Sequence, residues 1–217
     1  MSVNVPQEAV LRCINAVLEQ SARKPWGFPE SVLLHVGLKK FDPRKDKTFR
    51  GSFTLKHVPK AKFQVCVFAD EDHCIEARDK DLVFMDKDTI RRLSKSINKV
   101  NKLPKKYDGF LASSSLVNTL PGVLRRVLRE VRKEPVSVAN GELLTEKIEE
   151  LKTTAKFRVT KLGSLCVRVG NVKMPADALA ENVNDTIVYL ESLLTHDWQN
   201  VKSLKLMSSK GSPQRLL

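Results

Sequence analysis

The chain contains strands of two kinds, and each asks for different surroundings. FQVCVFA, residues 63–69, is a short continuous apolar run, the mark of a parallel strand buried on both faces. On either side of it the strands alternate instead. Val32, Leu34, Val36 and Leu38 interleave with Leu33, His35 and Gly37, and Phe53 and Leu55 interleave with Ser52 and Thr54, which is the period of a strand buried on one face. The alternation returns in Phe157 and Val159 and then in Leu165, Val167 and Val169, across a Leu162-Gly163 turn, which predicts a hairpin.

Helical spacing fills the gaps. Val10, Ile14, Val17 and Leu18 predict an amphipathic helix over residues 6–20, and Leu179, Val183, Ile187, Leu190 and Leu194 predict a long one after Pro175. A last strand is expected over 201–207. Around FQVCVFA the order is helix 70–78, strand 82–85, helix 86–99, strand 107–112, a helix from Ser114 through Val131 that Pro135 stops, and helix 141–152. Each terminal segment has too few strands for a sheet of its own. Together they could make one discontinuous α+β domain, 1–62 plus 153–217, with a small α/β unit of parallel sheet, 63–152, inserted into it.

Charge follows the same division. Of the net +13, residues 1–62 carry +7 (12 bases, 5 acids), 63–152 carry +2 (17 and 15) and 153–217 carry +4 (9 and 5). Either two basic arms flank a near-neutral centre, or the ends fold into one basic body. A nucleic acid or an anionic membrane surface is the partner such an excess favours. The densest stretch is KKFDPRKDKTFR, where Lys39, Lys40, Arg44, Lys45, Lys47 and Arg50 outnumber two acids between two strands. A solvated connection is the ordinary alternative reading.

Several chemistries lack their residues. The first central strand runs into DEDHCIEA, four acids and no glycine where a dinucleotide phosphate would approach backbone amides. Ser113, Ser114 and Ser115 lack the glycines of a nucleophile elbow and read as helix caps. His35, His57, His73 and His196 sit at no catalytic or metal spacing. Cys13, Cys66, Cys74 and Cys166 form no C-x-x-C pair and are expected as free, mostly buried thiols. Neither enzyme, metal nor cofactor is expected. No apolar run nears the ~20 residues of a membrane span and no signal-peptide pattern opens the chain, so a soluble intracellular protein is expected.

Residues suited to RNA are easier to name. Phe28, in the turn GFPES, suits stacking on a base or bracing a ribose, although it also suits packing beneath its own loop; Ser31 suits a phosphate or 2′-hydroxyl. In the tip after the last strand, Ser208, Ser209, Lys210 and Gly211 combine hydroxyls, a cation and a glycine that lets backbone come close to a phosphodiester. Lys156, Arg158, Arg168 and Lys173 add charge on or beside the expected hairpin, each an ordinary solvated side chain when taken singly.

Four collinear motifs, FPESVLLHVGLKKFDPRKDKTFRGSFTL (28–55), FQVCVFADEDHCIEA (63–77), KKYDGFLASSSL (105–116) and the run from KIEELKTTAKFRV through VGNVKMPADALAENV and WQNVKSL to SSKGSPQRL, carry a resemblance. Over nearly its whole length the chain resembles the family of the universal large-subunit ribosomal protein L-one, in its eukaryotic and archaeal form. The resemblance implies two domains, a discontinuous α+β domain from both chain ends (1–62 plus 153–217) and an inserted Rossmann-like α/β domain (63–152), and a monomer within the ribosome. It also implies an rRNA-binding constituent of the mobile exit-site stalk that assists release of transiently held deacylated tRNA, cytoplasmic with nucleolar passage during assembly. A nucleolar biogenesis factor sharing the fold is the alternative, and a nucleotide-dependent enzyme on the central unit a third. RNA contact is then implied at Phe28 and Ser31 and at Ser208, Ser209 and Gly211, with the loop of Lys39 to Arg50 adding long-range attraction. The chain departs from the family at Gly27, where a basic residue is common, at Lys210, where methionine is usual, and over residues 120–138, which replace a glycine- and proline-rich segment.

Overall fold

A computed structural model describes residues 6–39, 50–60, 62–139, 141–160, 163–193 and 201–216. In chain order the elements begin with α1 (Gln7–Arg23), β1 (Ser31–Leu38) and β2 (Arg50–Thr54). There follow β3 (Val65–Phe68), α2 (Glu71–Asp79), β4 (Phe84–Met85), α3 (Lys87–Ser94), α4 (Ile97–Lys106), β5 (Gly109–Ser113), α5 (Ser114–Val117), α6 (Gly122–Glu130), β6 (Val136–Val138) and α7 (Leu144–Thr153). The chain ends with β7 (Thr154–Arg158), β8 (Ser164–Asn171), α8 (Ala176–Leu193), β9 (Val201–Ser208) and β10 (Gln214–Arg215). By contacts it divides into two compact units, Met1–Ala61 with Thr153–Leu217, and Lys62–Lys152.

In the first unit β1 lies inside an antiparallel sheet of order β10-β9-β1-β8, so a strand from the front of the chain is flanked by two from its end. Alternation does what the sequence asks of it. Val32, Leu34 and Val36 are buried, with Leu165, Val167 and Val169 on β8 and Leu204 and Leu206 on β9. They form one core with Val10, Ile14 and Val17 of α1 and Leu179, Val183, Ile187 and Leu190 of α8. Burying each such side chain is worth about 1.5–3 kcal/mol.

The expected hairpin is corrected. Thr160 N donates to Ser164 O at 2.8 Å, but β7 pairs with β2 and β8 with β1. Nor are β1 and β2 partners. The β2–β7 ribbon is a separate two-stranded sheet, anchored where Tyr189 of α8 stacks on Phe53 at 4.6 Å and donates from its hydroxyl to Ser52 O at 3.2 Å.

The second unit is a parallel sheet of order β4-β3-β5-β6 covered on both faces. Cys66, Phe68, Phe110 and Ala112 meet Ile90, Val100, Leu103, Leu124 and Leu128 of α3, α4 and α6. Val67, Ala69, Leu111 and Val138 meet Ala77, Leu144, Ile148 and Leu151 of α2 and α7. Helices on both sides account for the unbroken apolar run of β3.

Two expected helices are each two. Residues 86–99 divide at Lys95-Ser96, where Ser96 turns extended and its N–H bonds back to Leu93 O at 3.0 Å; α4 then runs past Pro104 to Lys106. The helix expected from Ser114 to Val131 breaks at Leu120-Pro121, since a residue before proline is driven out of helical geometry. Gly141 holds a φ of +94°, so α7 starts only at Leu144. The sequence reading lacks β6 and β10, each of three residues or fewer. Of the thiols only Cys66 is buried and Cys166 is exposed, because it faces away from the core on β8.

Asn182 of α8, wholly buried, ties the first unit together: its Nδ2 donates to Val169 O (2.8 Å) and His57 O (3.0 Å), and its Oδ1 accepts from His57 N (3.1 Å). Asn182→Ala would strand three backbone groups, so thermal or denaturant melts should show a loss of about 3 kcal/mol. A change below about 0.5 kcal/mol would show that water replaces the amide at no cost.

Candidate nucleic-acid interface

The sheet of the first unit brings distant segments to one end. Where β1 begins and β9 finishes, Ser209 N donates to Ser31 O at 3.0 Å, and Ser31 N to Ser209 Oγ at 3.0 Å. On the other side of β1, Val172 N donates to Glu30 O at 3.0 Å. The turn at 24–30, the tip at 208–212 and the start of the connection at 172–173 therefore meet.

A buried carboxylate holds them. Glu30 is 2% exposed; its Oε1 accepts from Ser21 Oγ at 2.8 Å and its Oε2 from Ser208 Oγ at 2.7 Å and Lys210 N at 3.2 Å. Ser208 Oγ in turn accepts from Gly211 N at 2.8 Å. Ser212 Oγ donates to Gln20 Oε1 at 2.9 Å, fastening the tip to the end of α1. Burial pushes the Glu30 pKa up, but the bonds from Ser208, Ser21 and Lys210 pull it further down, and it rests below its ordinary value.

Around this knot the surface is aromatic and cationic. Trp26 and Phe28 are about half exposed, with ring centroids 6.3 Å apart, and Lys210 Nζ stands 5.5 Å over the Trp26 ring. Two clefts share Trp26. One, of about 430 Å³, lies between Arg23 and Lys24 at the end of α1 and Lys210, Gly211 and Ser212 of the tip. The other, of about 360 Å³, lies between Leu18, Phe28, Val172 and Lys173. Trp26, Arg23, Lys24 and Glu30 are absent from the sequence-derived set. Trp26 could have been found as a second large aromatic in a polar turn, whereas a single glutamate there reads as a solvated charge.

The expected contacts divide. Phe28, Lys173, Ser209, Lys210 and Gly211 lie together. Phe28 is exposed, which decides against packing beneath its loop. Ser208 is 1% exposed, so it positions the tip instead of touching a ligand. Gly211 is required for space: a Cβ there would lie 2.5 Å from Ser208 Oγ. Arg168 is exposed on β8, opposite Leu33 on the sheet face away from the helices. Lys156 is on the β2–β7 ribbon, and Arg50 and Arg158 face each other across it, their side chains outside the described structure. Lys40, Arg44, Lys45 and Lys47 also lie outside the described residues. Lys39 follows β1 at its far end, about 25 Å from Ser31 along the strand, well beyond the ~10 Å reach of screened charge. At that distance Lys39 by itself adds little attraction to the Phe28 end.

The described residues of the second unit form no matching site where α/β sheets usually bind ligands, outside the strand ends at which their order reverses. Between the ends of β3 and β5, Ser113 Oγ bonds Asp70 N (3.1 Å) and His73 Nδ1 (2.8 Å), and Ser115 donates to Asp70 at 2.6 Å. The crevice is closed by its own hydrogen bonds, and the Ser113 hydroxyl does not cap a helix. Among the described residues no three His, Cys, Asp or Glu side chains are grouped to hold a metal ion, and no helix is long and apolar enough to cross a membrane.

A model of the ribosomal protein L1p/L10e family matches residues 17–212. The large ribosomal subunit protein uL1 of Drosophila melanogaster is 45% identical over 216 residues, 100% of each chain, and that of Spodoptera frugiperda 44% identical over the same span. The uL1 of Caenorhabditis elegans is 41% identical over 212 residues, 98% of each chain.

The Glu30 knot sets a pH dependence. A carboxylate with a lowered folded pKa adds stability that is complete above its unfolded value, near 4.5, and is lost as pH falls through the folded one. Glu30→Gln should cost about 2 kcal/mol at neutral pH and flatten the loss of stability below pH 4.5. Parallel melting curves for the two proteins down to about pH 3 would remove Glu30 from acid unfolding.

Proposed function

The chain belongs to the ribosomal protein L1p/L10e family, and on that premise we propose that it is a non-catalytic constituent of the large ribosomal subunit that grips rRNA with the Trp26–Phe28 end of its first unit. The exposed aromatic pair beside a cationic rim carries this reading. Bases splayed from a folded RNA stack on aromatic rings, while Arg23, Lys24, Lys173 and Lys210 are placed for the phosphates between them. Glu30 is buried, and its oxygens are taken up by Ser21, Ser208 and the Lys210 amide. The two compact units act as domains, one discontinuous (1–62 plus 153–217) and one inserted (63–152). In the exit-site stalk the protein holds the rRNA that escorts deacylated tRNA from the subunit, as a monomer in cytoplasmic ribosomes after nucleolar assembly.

Sedimentation tests the reading directly. The chain should be stoichiometric in purified large subunits and in translating ribosomes; confinement to precursor particles would make it an assembly factor. At the site, Trp26→Ala and Phe28→Ala should each weaken binding to stalk rRNA about ten-fold or more, since a stacked base contributes about 1–3 kcal/mol. Melting temperatures should hold, because both rings are exposed. Full affinity in both variants would place the grip elsewhere.

A further inference from the structure

The near-neutral sum of the inserted unit conceals a division. On the side of its sheet covered by α3 to α6, residues 87–106 and 114–134 hold thirteen Lys and Arg against Asp88, Glu130 and Glu134, a net of +10. On the side covered by α2 and α7, residues 71–81 and 141–153 hold nine Asp and Glu against four Lys and Arg, a net of −5. The basic layer is continuous, since α4 touches both α3 and α6. Its helices turn apolar residues inward and cations outward: α4 buries Val100 and Leu103 and exposes Lys99, Lys102 and Lys106, and α6 buries Leu124 and Leu128 and exposes Arg126 and Arg129. Arg91 pairs with Asp88 at 3.9 Å, Arg129 with Glu134 at 3.3 Å, and Lys133 donates to Pro104 O and Tyr107 O at 2.7 Å. Thirteen bases against three acids leave a dense excess of one sign, which repels itself until a polyanion covers it. Residues 120–138, where the chain departs from the family's sequence pattern, supply five of the thirteen cations.

We propose that the α3–α4–α6 layer is a second RNA-binding surface, which holds the phosphate backbone of a duplex without reading its sequence. The choice of RNA rests on the proposed function of the first unit, because a chain already tethered to RNA meets neighbouring phosphates at high effective concentration. Membrane docking by insertion requires apolar faces turned outward, and these helices turn most of their apolar residues into the core, with Ile97 and Val123 exposed. A peptide needs a groove, and the cleft between α3 and the segment Leu116 to Pro121 holds about 110 Å³. Arginines on α6 supply planar forks that match phosphate oxygens.

The test uses the full chain and a duplex RNA of about 20 base pairs and arbitrary sequence, with binding measured against salt. Neutralising four cations (Arg92→Gln, Lys99→Gln, Lys102→Gln, Arg126→Gln) should lower the log-log salt slope by about three units and weaken binding at least about ten-fold. The melting temperature should hold, and Phe28→Ala should leave the duplex slope unchanged. An unaltered slope in the quadruple variant overturns the proposal; so does a loss seen only with poly-glutamate as the probe, which would assign the layer to an acidic protein. Stalk-rRNA affinity lost in Phe28→Ala but not in the quadruple variant supports the first unit's site independently of this one.

Discussion

The first unit depends on β1 being paired along both edges. Its neighbours, β8 and β9, come from the last third of the chain, so the apolar face of Val32, Leu34 and Val36 has no sheet to belong to until those strands arrive. Pairings of such sequence separation are slow to form, because chain entropy is lost before contacts repay it. The inserted unit lessens that cost. It leaves after β2 and returns at β7, and those strands pair from Arg50 with Arg158 to Thr54 with Thr154, so the two connections run side by side. Once the inserted sheet forms, the intervening residues behave as a short loop.

Glu30 is the local counterpart of that arrangement. A charge removed from water is tolerated only when its oxygens are satisfied, and the donors here come from α1, β9 and the tip. Any other register of β9 on β1 would move Ser208 away and leave a buried anion unmet. The carboxylate thus specifies which residues of the tip stand beside Trp26, and its charge helps to hold Lys210 there.

The sequence was most readable where packing obeys one period. Alternation in β1, β8 and β9 and the unbroken run of β3 give the faces of both sheets, because burial on one side or two leaves a direct imprint on spacing. Pairing left no such imprint: the Leu162-Gly163 turn looks like a hairpin, yet β7 and β8 take other partners. Charge summed along the chain was equally blind to the inserted unit, whose two layers cancel in sequence and separate only when helices are sorted by sheet face. At the site, Phe28 and Lys210 were legible as residue types. Ser208 and Glu30 were not, since a hydroxyl or carboxylate in a turn looks alike whether it faces solvent or a closed knot.

The knot has a consequence for synthesis. Trp26 and Phe28 are made long before residues 208–211, which supply the serine and backbone amides that fix their surroundings. A product cut short between the inserted unit and residue 208 holds all of the inserted unit but none of the donors that the tip gives to Glu30. The proposed grip therefore needs residues 208–211, and a product that stops before them lacks the setting of its own aromatic pair.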